Sequence, residues 1–238
     1  MTINRADIVK PGLFSVQVAA DSRRSEFDVK NEILVTNRVP IDAVFIGDSI
    51  THNWELDAYF GGKGLIVVNR GIGGDVTEYC LRRFAADVVQ LRPLAAVLLI
   101  GINDTWCMDN PGVGTQAAED IKALIQRNIR ELANNCLKSG IKLIIGSLLP
   151  TNIPGNPHNP ERNRLIVSCN TWLKELTETD SQLLYADYHV RMVDKDGFTL
   201  RDGLSDDGLH PHVEGYNIMA QVIQELWDKP NNHGQISS

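Results

Sequence analysis

The chain has 238 residues, a length that suits one large α/β domain and that can bury a sizeable core without disulfides or metals. Its hydrophobic content of 43% and its charged content of 22% are ordinary for a globular protein. The formal net charge of −7 and the lack of any basic run argue against nucleic acid or an anionic membrane as a partner, and no apolar run is long enough to predict a membrane span.

The chain begins with a weakly patterned stretch, residues 1–22, which we expect to lie over the surface as an N-terminal extension. Apolar runs of strand length then alternate with amphipathic segments of helical period. The predicted strands are residues 41–46, 65–69, 95–100, 141–147 and 183–186, and the predicted helices are residues 23–38, 50–60, 77–90, 115–138, 161–179 and 213–227. The tail, residues 231–238, is expected to be disordered.

Strands that alternate with helices in this way predict a parallel sheet with right-handed crossovers and with helices on both faces. No repeat, low-complexity block or long linker divides the chain. We therefore expect residues 1–238 to form a single domain.

The four cysteines are widely spaced and form no CxxC pair, so neither a zinc knuckle nor a thioredoxin-type site is predicted. No set of His, Cys, Asp and Glu has the spacing of metal ligands, and we expect neither a metal nor another cofactor. The first residues, MTINRADIVKPG, lack the apolar core of a signal peptide, which predicts a cytoplasmic protein.

One stretch, residues 41–54 (IDAVFIGDSITHNW), has the pattern of a catalytic turn. A buried strand runs into Gly47-Asp48-Ser49, and a helix is predicted to follow. Such a turn presents the Ser49 hydroxyl at the carboxyl edge of a parallel sheet, where open α/β proteins place their sites. The helix N-terminus favours the negative charge that develops during acyl transfer. The alternative is a plain turn in which the serine caps the helix.

Polar or glycine-rich turns also follow the second and third strands, at Gly73-Gly74 and at Asn103. Because parallel strands end along one edge, we expect both turns to lie beside Ser49. The N–H groups of Ser49 and Gly74 and the Asn103 amide would then donate to an oxyanion. Two alternatives remain. The glycines can form a plain turn, since a GxGxxG dinucleotide loop would need glycine in place of Val76, and Asn103 can belong to a helix cap.

A base for Ser49 is predicted in the loop after the last strand. His210 can take the serine proton with one ring nitrogen if Asp207, three residues earlier, orients the other. His212 is a rival, but two residues further along an extended turn its side chain would point the opposite way. Alternatively, Asp207 and His210 are ordinary polar groups of a loop.

Together these motifs resemble those of the SGNH (GDSL-like) hydrolase family. The similar blocks occur in the family's order at Gly47-Asp48-Ser49, residues 69–75 (NRGIGGD), residues 101–104 (GIND) and residues 207–211 (DGLHP). The first block departs from the family pattern only in Ile50, where leucine is usual. Within the family, residues 69–75 and 147–150 (SLLP) are similar to the catalytic subunits of platelet-activating-factor acetylhydrolase.

The resemblance implies a three-layer α/β/α fold with a five-stranded parallel sheet in flavodoxin-like order. It also implies a metal-free serine esterase that acts through an acyl-enzyme. Ser49 would be the nucleophile, and Asp207 and His210 would complete the triad. Ser49, Gly74 and Asn103 would form the oxyanion hole.

Four residues near the motifs, His52, Trp54, Asp75 and Trp106, are predicted to line a substrate pocket, although the tryptophans can equally be core packing. The lack of a lid-like apolar insertion favours short acyl groups. Three alternatives stay open: an acetylated-carbohydrate deacetylase, a lysophospholipase or thioesterase, and a catalytically silent carbohydrate- or partner-binding module. The expected partner is a small-molecule ester, and a homodimer is left open.

Overall fold

The computed structural model describes residues 9–12, 21–110 and 115–227. Its centre is a sheet of five strands, which are β1 (Ala43–Gly47), β2 (Val67–Gly71), β3 (Ala95–Leu99), β4 (Lys142–Gly146) and β5 (Leu183–Ala186). All neighbouring pairs are parallel, and the order across the sheet is β2-β1-β3-β4-β5. This is the flavodoxin-like order, so the predicted fold class is confirmed.

Helices flank the sheet. They are α1 (Asp21–Thr36), α2 (Ser49–His52), α3 (Leu56–Phe60), α4 (Thr77–Asp87), α5 (Thr115–Lys138), α6 (Asn159–Thr177), α7 (His189–Met192) and α8 (Val213–Trp227). Three 3₁₀ segments, Gly61–Lys63, Val89–Leu91 and Asn103–Asp109, accompany them. Neighbours in one layer are α1 and α4, α4 and α5, and α5 and α6. No helix in the described part of the chain is long and apolar enough to cross a membrane.

Three predicted elements, α5, β5 and α8, have the predicted bounds, and most of the others differ by one or two residues at one or both ends. The single helix predicted over residues 50–60 is wrong, since α2 and α3 are separate. Asn69 of β2 explains the break. Its Nδ2 donates to the carbonyl oxygens of Thr51 and Trp54, at 2.7 and 3.0 Å, so these carbonyls bond to a strand instead of continuing a helix. The predicted disordered tail and most of the predicted N-terminal extension lie outside the described residues.

The core surrounds the two central strands. Every residue of β1 and β3 is buried, as expected of parallel strands covered on both faces. Aromatic contacts join α8 to the segment after β1. Trp54 stacks on Tyr216 with ring centroids 5.5 Å apart, and Phe60 lies 6.3 Å from Trp227.

The register of the strands brings three turns together. Gly47, the last residue of β1, pairs with Gly71 of β2 and with Leu99 of β3, so these three strands end at one level. Gly71 also allows the backbones to approach closely, because a Cβ there would lie 2.1 Å from the backbone nitrogen of His52. The turns after β1, β2 and β3 therefore lie side by side.

Candidate active site

Ser49 is the first residue of α2 and follows the end of β1 by two positions. The helix cap is Asp48, whose Oδ1 accepts a hydrogen bond from the Ile50 N–H at 2.9 Å. The alternative in which Ser49 caps the helix is therefore wrong. Because Asp48 satisfies the helix end, the Ser49 hydroxyl is left for another partner.

That partner is His210. The Ser49 Oγ lies 2.8 Å from Nε2 of His210, across 161 residues of sequence, and Nδ1 of His210 lies 2.6 Å from Oδ2 of Asp207. A carboxylate only accepts hydrogen bonds, so Nδ1 carries the proton and Nε2 is free to accept the serine proton. The rival His212 lies at the start of α8 instead, where its Nδ1 accepts from the Glu214 N–H at 3.2 Å.

Asp207 is held by its own loop. Its Oδ1 accepts from the N–H groups of Leu209 and His210, at 2.9 and 2.8 Å, and from the Ser205 hydroxyl at 3.0 Å. Partial burial raises the pKa of Asp207, but these bonds and the one from the His210 ring outweigh it and hold the pKa below its ordinary value. The carboxylate therefore stays ionised. Its side chain is 55% exposed, and contact with water also favours the charge.

The loop after β2 packs against the nucleophile turn. A Cβ on Gly73 would lie 3.9 Å from the Ser49 Cβ, and the Gly73 N–H donates to Nδ1 of His52 at 3.2 Å. Burial lowers the pKa of His52, and the nearby Arg23 lowers it further, which favours the unprotonated ring that this bond needs. Gly74 follows with φ of +78°, and among the described residues its N–H has no acceptor.

The Asn103 side chain lies next to the same loop. Its Nδ2 donates to the Asp75 carbonyl oxygen at 2.8 Å, and its Oδ1 accepts from Nε1 of Trp106 at 2.7 Å. An amide nitrogen carries two hydrogens, so one remains for a further acceptor. The turns that carry Ser49, Gly74 and Asn103 are thus joined at one edge of the sheet, as the sequence predicts.

Behind these turns lies a group of buried charges that was not predicted from the sequence. Arg83 of α4 is wholly buried and donates to the carbonyl oxygens of Gly47 and Arg70, at 3.0 and 2.8 Å. Its guanidinium also pairs with Asp75 at 2.7 Å and with Asp87 at 2.9 Å. One signal was available, because Arg83 and Asp87 stand one turn apart on a helix that must pack against the sheet.

The buried charges continue into α1. Arg24 pairs with Asp87 at 2.5 Å, and Oδ1 of Asn31 accepts from the Arg70 guanidinium at 2.8 and 3.0 Å. Burial disfavours the charge of Asp87, but Arg83 and Arg24 hold its pKa below the ordinary value. A segment to which the sequence assigned no role therefore supports β2 and the loop that follows it.

Two further carboxyls near the site have raised pKa values. Complete burial raises the pKa of Asp48 to about 7, against the effect of its bond from Ile50. Burial likewise raises the pKa of Asp104 to about 6. Asp104 accepts from the N–H and hydroxyl of Thr77, at 3.0 and 2.6 Å, so it holds the start of α4 from outside that helix.

The predicted pocket residues have different environments. Trp54 and Asp75 are 3% and 0% exposed, the first stacked on Tyr216 and the second paired with Arg83, so neither is available to a substrate. His52 is exposed beside Gly73. Trp106 is half-buried and contacts Asn103.

A cavity of about 340 Å³ lies at the opposite edge of the sheet, where Asp42 and Leu94 precede β1 and β3. It contains none of the residues that carry the hydroxyl, imidazole and carboxylate described above. The candidate active site is therefore assigned from these three groups and not from the size of a cavity. Within residues 9–12, 21–110 and 115–227, no three His, Cys, Asp or Glu side chains form a group that would hold a metal ion.

The model of the GDSL-like lipase/acylhydrolase family matches residues 45–218. The chain belongs to this family. An acetylxylan esterase from Geobacillus stearothermophilus is 27% identical over 171 residues, which cover 71% of this chain and 74% of that protein. A GDSL-like lipase from Bacteroides thetaiotaomicron VPI-5482 has a similar structure, with a TM-score of 0.72 and 26% identity over 90% of this chain and 100% of that one.

Membership in the family confirms the resemblance inferred from the four sequence blocks. Together with the acetylxylan esterase relative, it supports an enzyme that hydrolyses esters. The family match begins at residue 45, so α1 lies before the matched region, whereas its partners Arg70 and Asp87 lie within it.

Proposed function

We propose that this protein is a serine esterase that hydrolyses carboxylic esters through an acyl-enzyme and needs no metal. The observation that carries the proposal is the continuous line of hydrogen bonds from the Ser49 hydroxyl through His210 to Asp207, at 2.8 and 2.6 Å. A hydroxyl, an imidazole and a carboxylate in this order form a nucleophile with its own base.

In acylation, Nε2 of His210 takes the proton of Ser49 while Oγ attacks the carbonyl carbon of the ester. The carbonyl π bond opens, and its oxygen becomes an oxyanion. When the oxyanion collapses, the carbonyl re-forms and the bond between the acyl carbon and the leaving oxygen breaks. His210 then gives its proton to the leaving oxygen, which departs as the alcohol. Water then repeats the sequence on the acyl-enzyme, with His210 as base, and releases the acid and free Ser49.

The oxyanion needs fixed donors. Three are proposed: the backbone N–H of Ser49, the N–H of Gly74 and the second Nδ2 hydrogen of Asn103. Two contacts support this set. Gly73, which precedes Gly74, packs beside the Ser49 side chain, and Asn103 is bonded to the carbonyl of Asp75, which follows Gly74.

Short acyl groups, acetyl above all, are the proposed substrates. The His210 and Asp207 side chains are 34% and 55% exposed, so the described part of the chain leaves the site open. The acetylxylan esterase relative favours one particular class as a second candidate, namely acetylated carbohydrates. An enzyme for long-chain lipids would need a larger apolar surface around the acyl chain.

A series of 4-nitrophenyl esters from acetyl to decanoyl, together with acetylated xylan oligomers, tests the proposal. We expect the highest kcat/KM at two to four carbons and a burst of nitrophenol that matches the enzyme concentration. Ser49→Ala should lower turnover by about 10⁴ to 10⁶ and leave the circular dichroism spectrum intact. Ser181→Ala, at an exposed serine before β5, is the matched control and should retain full activity.

Three outcomes would contradict parts of the proposal. Retention of more than a tenth of the turnover in Ser49→Ala would contradict the assignment of Ser49 as the nucleophile. Loss of wild-type activity in EDTA, restored by one metal, would contradict the metal-free mechanism. A maximum at eight or more carbons would replace short esters with lipids as the substrate class.

A further inference from the structure

The amide of Asn103 is held at both of its ends. The Trp106 indole N–H can only donate, so the Asn103 atom that lies 2.7 Å from it must be the oxygen. The Asp75 carbonyl can only accept, so the atom 2.8 Å from it must be the nitrogen. Exchanging the two amide atoms would place donor against donor and acceptor against acceptor. The neighbouring groups therefore fix the orientation of this side chain.

The contact between Asn103 and Trp106 follows from the local backbone. Asn103–Asp109 forms a 3₁₀ segment, in which side chains three residues apart eclipse one another. Trp106 therefore lies over Asn103, which is the first residue of the 3₁₀ segment. An α-helical turn would separate the same two side chains by a further rotation around the axis.

Trp106 is itself held by a residue of α6. The guanidinium carbon of Arg162, which is wholly buried, lies 4.7 Å from the centroid of the Trp106 ring. Arg162 also donates to Thr105 at 3.0 Å and to Asp109 at 2.7 Å, so it ties three residues of the 3₁₀ segment together. A cation over the indole face attracts its π electrons, which fixes the ring and strengthens the N–H as a donor.

We propose that Trp106 is a positioning residue for ester hydrolysis, because its indole N–H directs the free Nδ2 hydrogen of Asn103 toward the oxyanion. The inference rests on the oxyanion role proposed for Asn103. An amide group is planar, so once its oxygen and one hydrogen are bonded the direction of the second hydrogen is set. A donor held in place acts as the charge develops, and its effect falls on kcat rather than on substrate binding.

This assignment differs from the predicted role of Trp106 in a substrate pocket. A pocket residue would alter KM, and its effect would depend on the acyl group. A residue that orients an oxyanion donor should alter kcat alike for every ester, since all acyl transfers share the tetrahedral intermediate. The two roles are therefore separable by kinetics.

Trp106→Phe removes the N–H and keeps an aromatic ring over Arg162. We expect kcat to fall on the order of 10-fold for every short 4-nitrophenyl ester, with KM unchanged, which is less than the ~10² to 10³ expected for loss of the donor itself. The matched control is Trp172→Phe. Its ring also faces an arginine, Arg130 at 5.3 Å, but it lies on α6 and should leave kcat unchanged.

The double variant with Asn103→Ala completes the test. If Trp106 acts through Asn103, Trp106→Phe should cost nothing further once Asn103 is alanine. An additive loss, or a rise in KM that depends on the acyl group, would overturn the inference. Retention of wild-type kcat by Asn103→Ala would contradict the role of Asn103 as an oxyanion donor in the proposed function. A defect in Asn103→Ala without one in Trp106→Phe would overturn only the role of Trp106.

A spectroscopic measurement tests the contact without relying on activity. The four tryptophans give four indole N–H signals in a ¹H–¹⁵N spectrum, and Trp106→Phe assigns one of them. We expect this signal to exchange slowly with solvent and to move upfield in Asn103→Ala, while the Trp172 signal stays in place. An unchanged Trp106 signal would overturn the inference. If Trp106→Phe does not fold, β-(3-benzothienyl)alanine at position 106 keeps the bicyclic shape and replaces the N–H with sulfur.

Discussion

Two parts of the molecule meet at the Ser49 hydroxyl, and they are built differently. We call the turns after β1, β2 and β3 the nucleophile side, and residues 194–211 the histidine loop. The nucleophile side rests on buried charges, of which Arg83 bonds to Gly47 at the end of β1 and is wholly buried. The histidine loop rests on local hydrogen bonds to Asp207, whose side chain is 55% exposed.

The difference matters because a buried charge and an exposed one contribute differently to stability. Removing one partner of a buried ion pair leaves an uncompensated charge and destabilises the fold strongly. Removing an exposed charge costs little, since water replaces its partner. Removing a buried charge behind the nucleophile side should therefore change stability and activity together, whereas removing the exposed carboxylate of the histidine loop should change activity alone.

Of the substitutions that compare the two parts, Asp207→Asn is expected to have the largest effect. The Nδ2 group of asparagine cannot accept the His210 Nδ1–H, so the imidazole turns to the wrong tautomer, and kcat/KM should fall by about 10⁴. The melting temperature should change little, because the site is exposed. Asp206→Asn, the exposed neighbour, is the control and should match wild type in both measurements. A normal rate in Asp207→Asn would mean that another group orients His210, and a large loss of stability would break the comparison.

The next largest effect is expected from Arg83→Met, which has an unbranched apolar chain but no charge. Asp75 and Asp87 would be left buried beside it, and the free energy of unfolding in urea should fall by about 3 to 5 kcal/mol. Arg82→Met is the matched control on the same helix. Arg82 is 50% exposed and pairs with Glu78, so its loss should cost less than about 1 kcal/mol.

Equal losses in the two arginine variants would contradict the distinction between buried and exposed charges. Fold loss in Arg83→Met at 25 °C would agree with it, and urea unfolding of Arg83→Lys would then measure the same effect in a folded protein. Lysine keeps the charge but lacks the fork of donors that reaches two carboxylates and two carbonyls, so it should be less stable than wild type.

The sequence predicted the strands, and it pointed to the residues of the proposed triad, because these signals are local. Apolar runs mark β1 and β3, and Asp207 and His210 stand three residues apart in a single loop. Parallel strands end along one edge, which was enough to predict that Ser49 and Asn103 would lie on neighbouring turns.

What the sequence did not predict depends on partners in distant elements. The break between α2 and α3 is caused by Asn69, which reaches across from β2. Arg83 looks like a surface residue in sequence, and only the packing of α4 against β1 and its neighbours buries it. Trp106 was predicted to line a pocket because it lies near the motifs, and nothing in the sequence shows that the local turn is 3₁₀ and carries the ring onto Asn103.

The smallest expected effect is on the pH dependence of stability. The stabilising contribution of a buried carboxyl on the nucleophile side is lost as pH rises, whereas that of the carboxylate in the histidine loop is lost as pH falls. Asp48, on the nucleophile side, has a pKa raised to about 7 by burial, against an ordinary value of about 4 in an unfolded chain. The folded protein therefore binds this proton more tightly, and the contribution of Asp48 to stability is lost as pH rises through 7. Asp207 has a lowered pKa, so its contribution is present above the ordinary value and is lost only as pH falls below it.

Between pH 6 and pH 8, the free energy of unfolding should therefore lose on the order of 1 kcal/mol through Asp48 and nothing through Asp207. Other groups titrate in this range, so the measured quantity is the difference between variants. Wild type minus Asp48→Asn should decline from pH 6 to pH 8 in urea unfolding, whereas wild type minus Asp207→Asn should stay level. Asp57→Asn, at an exposed carboxyl of α3, controls for the loss of one negative charge and should give a level difference. A level difference for Asp48→Asn would mean that Asp48 is charged in the folded protein at pH 6. The nucleophile side would then hold that charge as readily as the histidine loop holds Asp207.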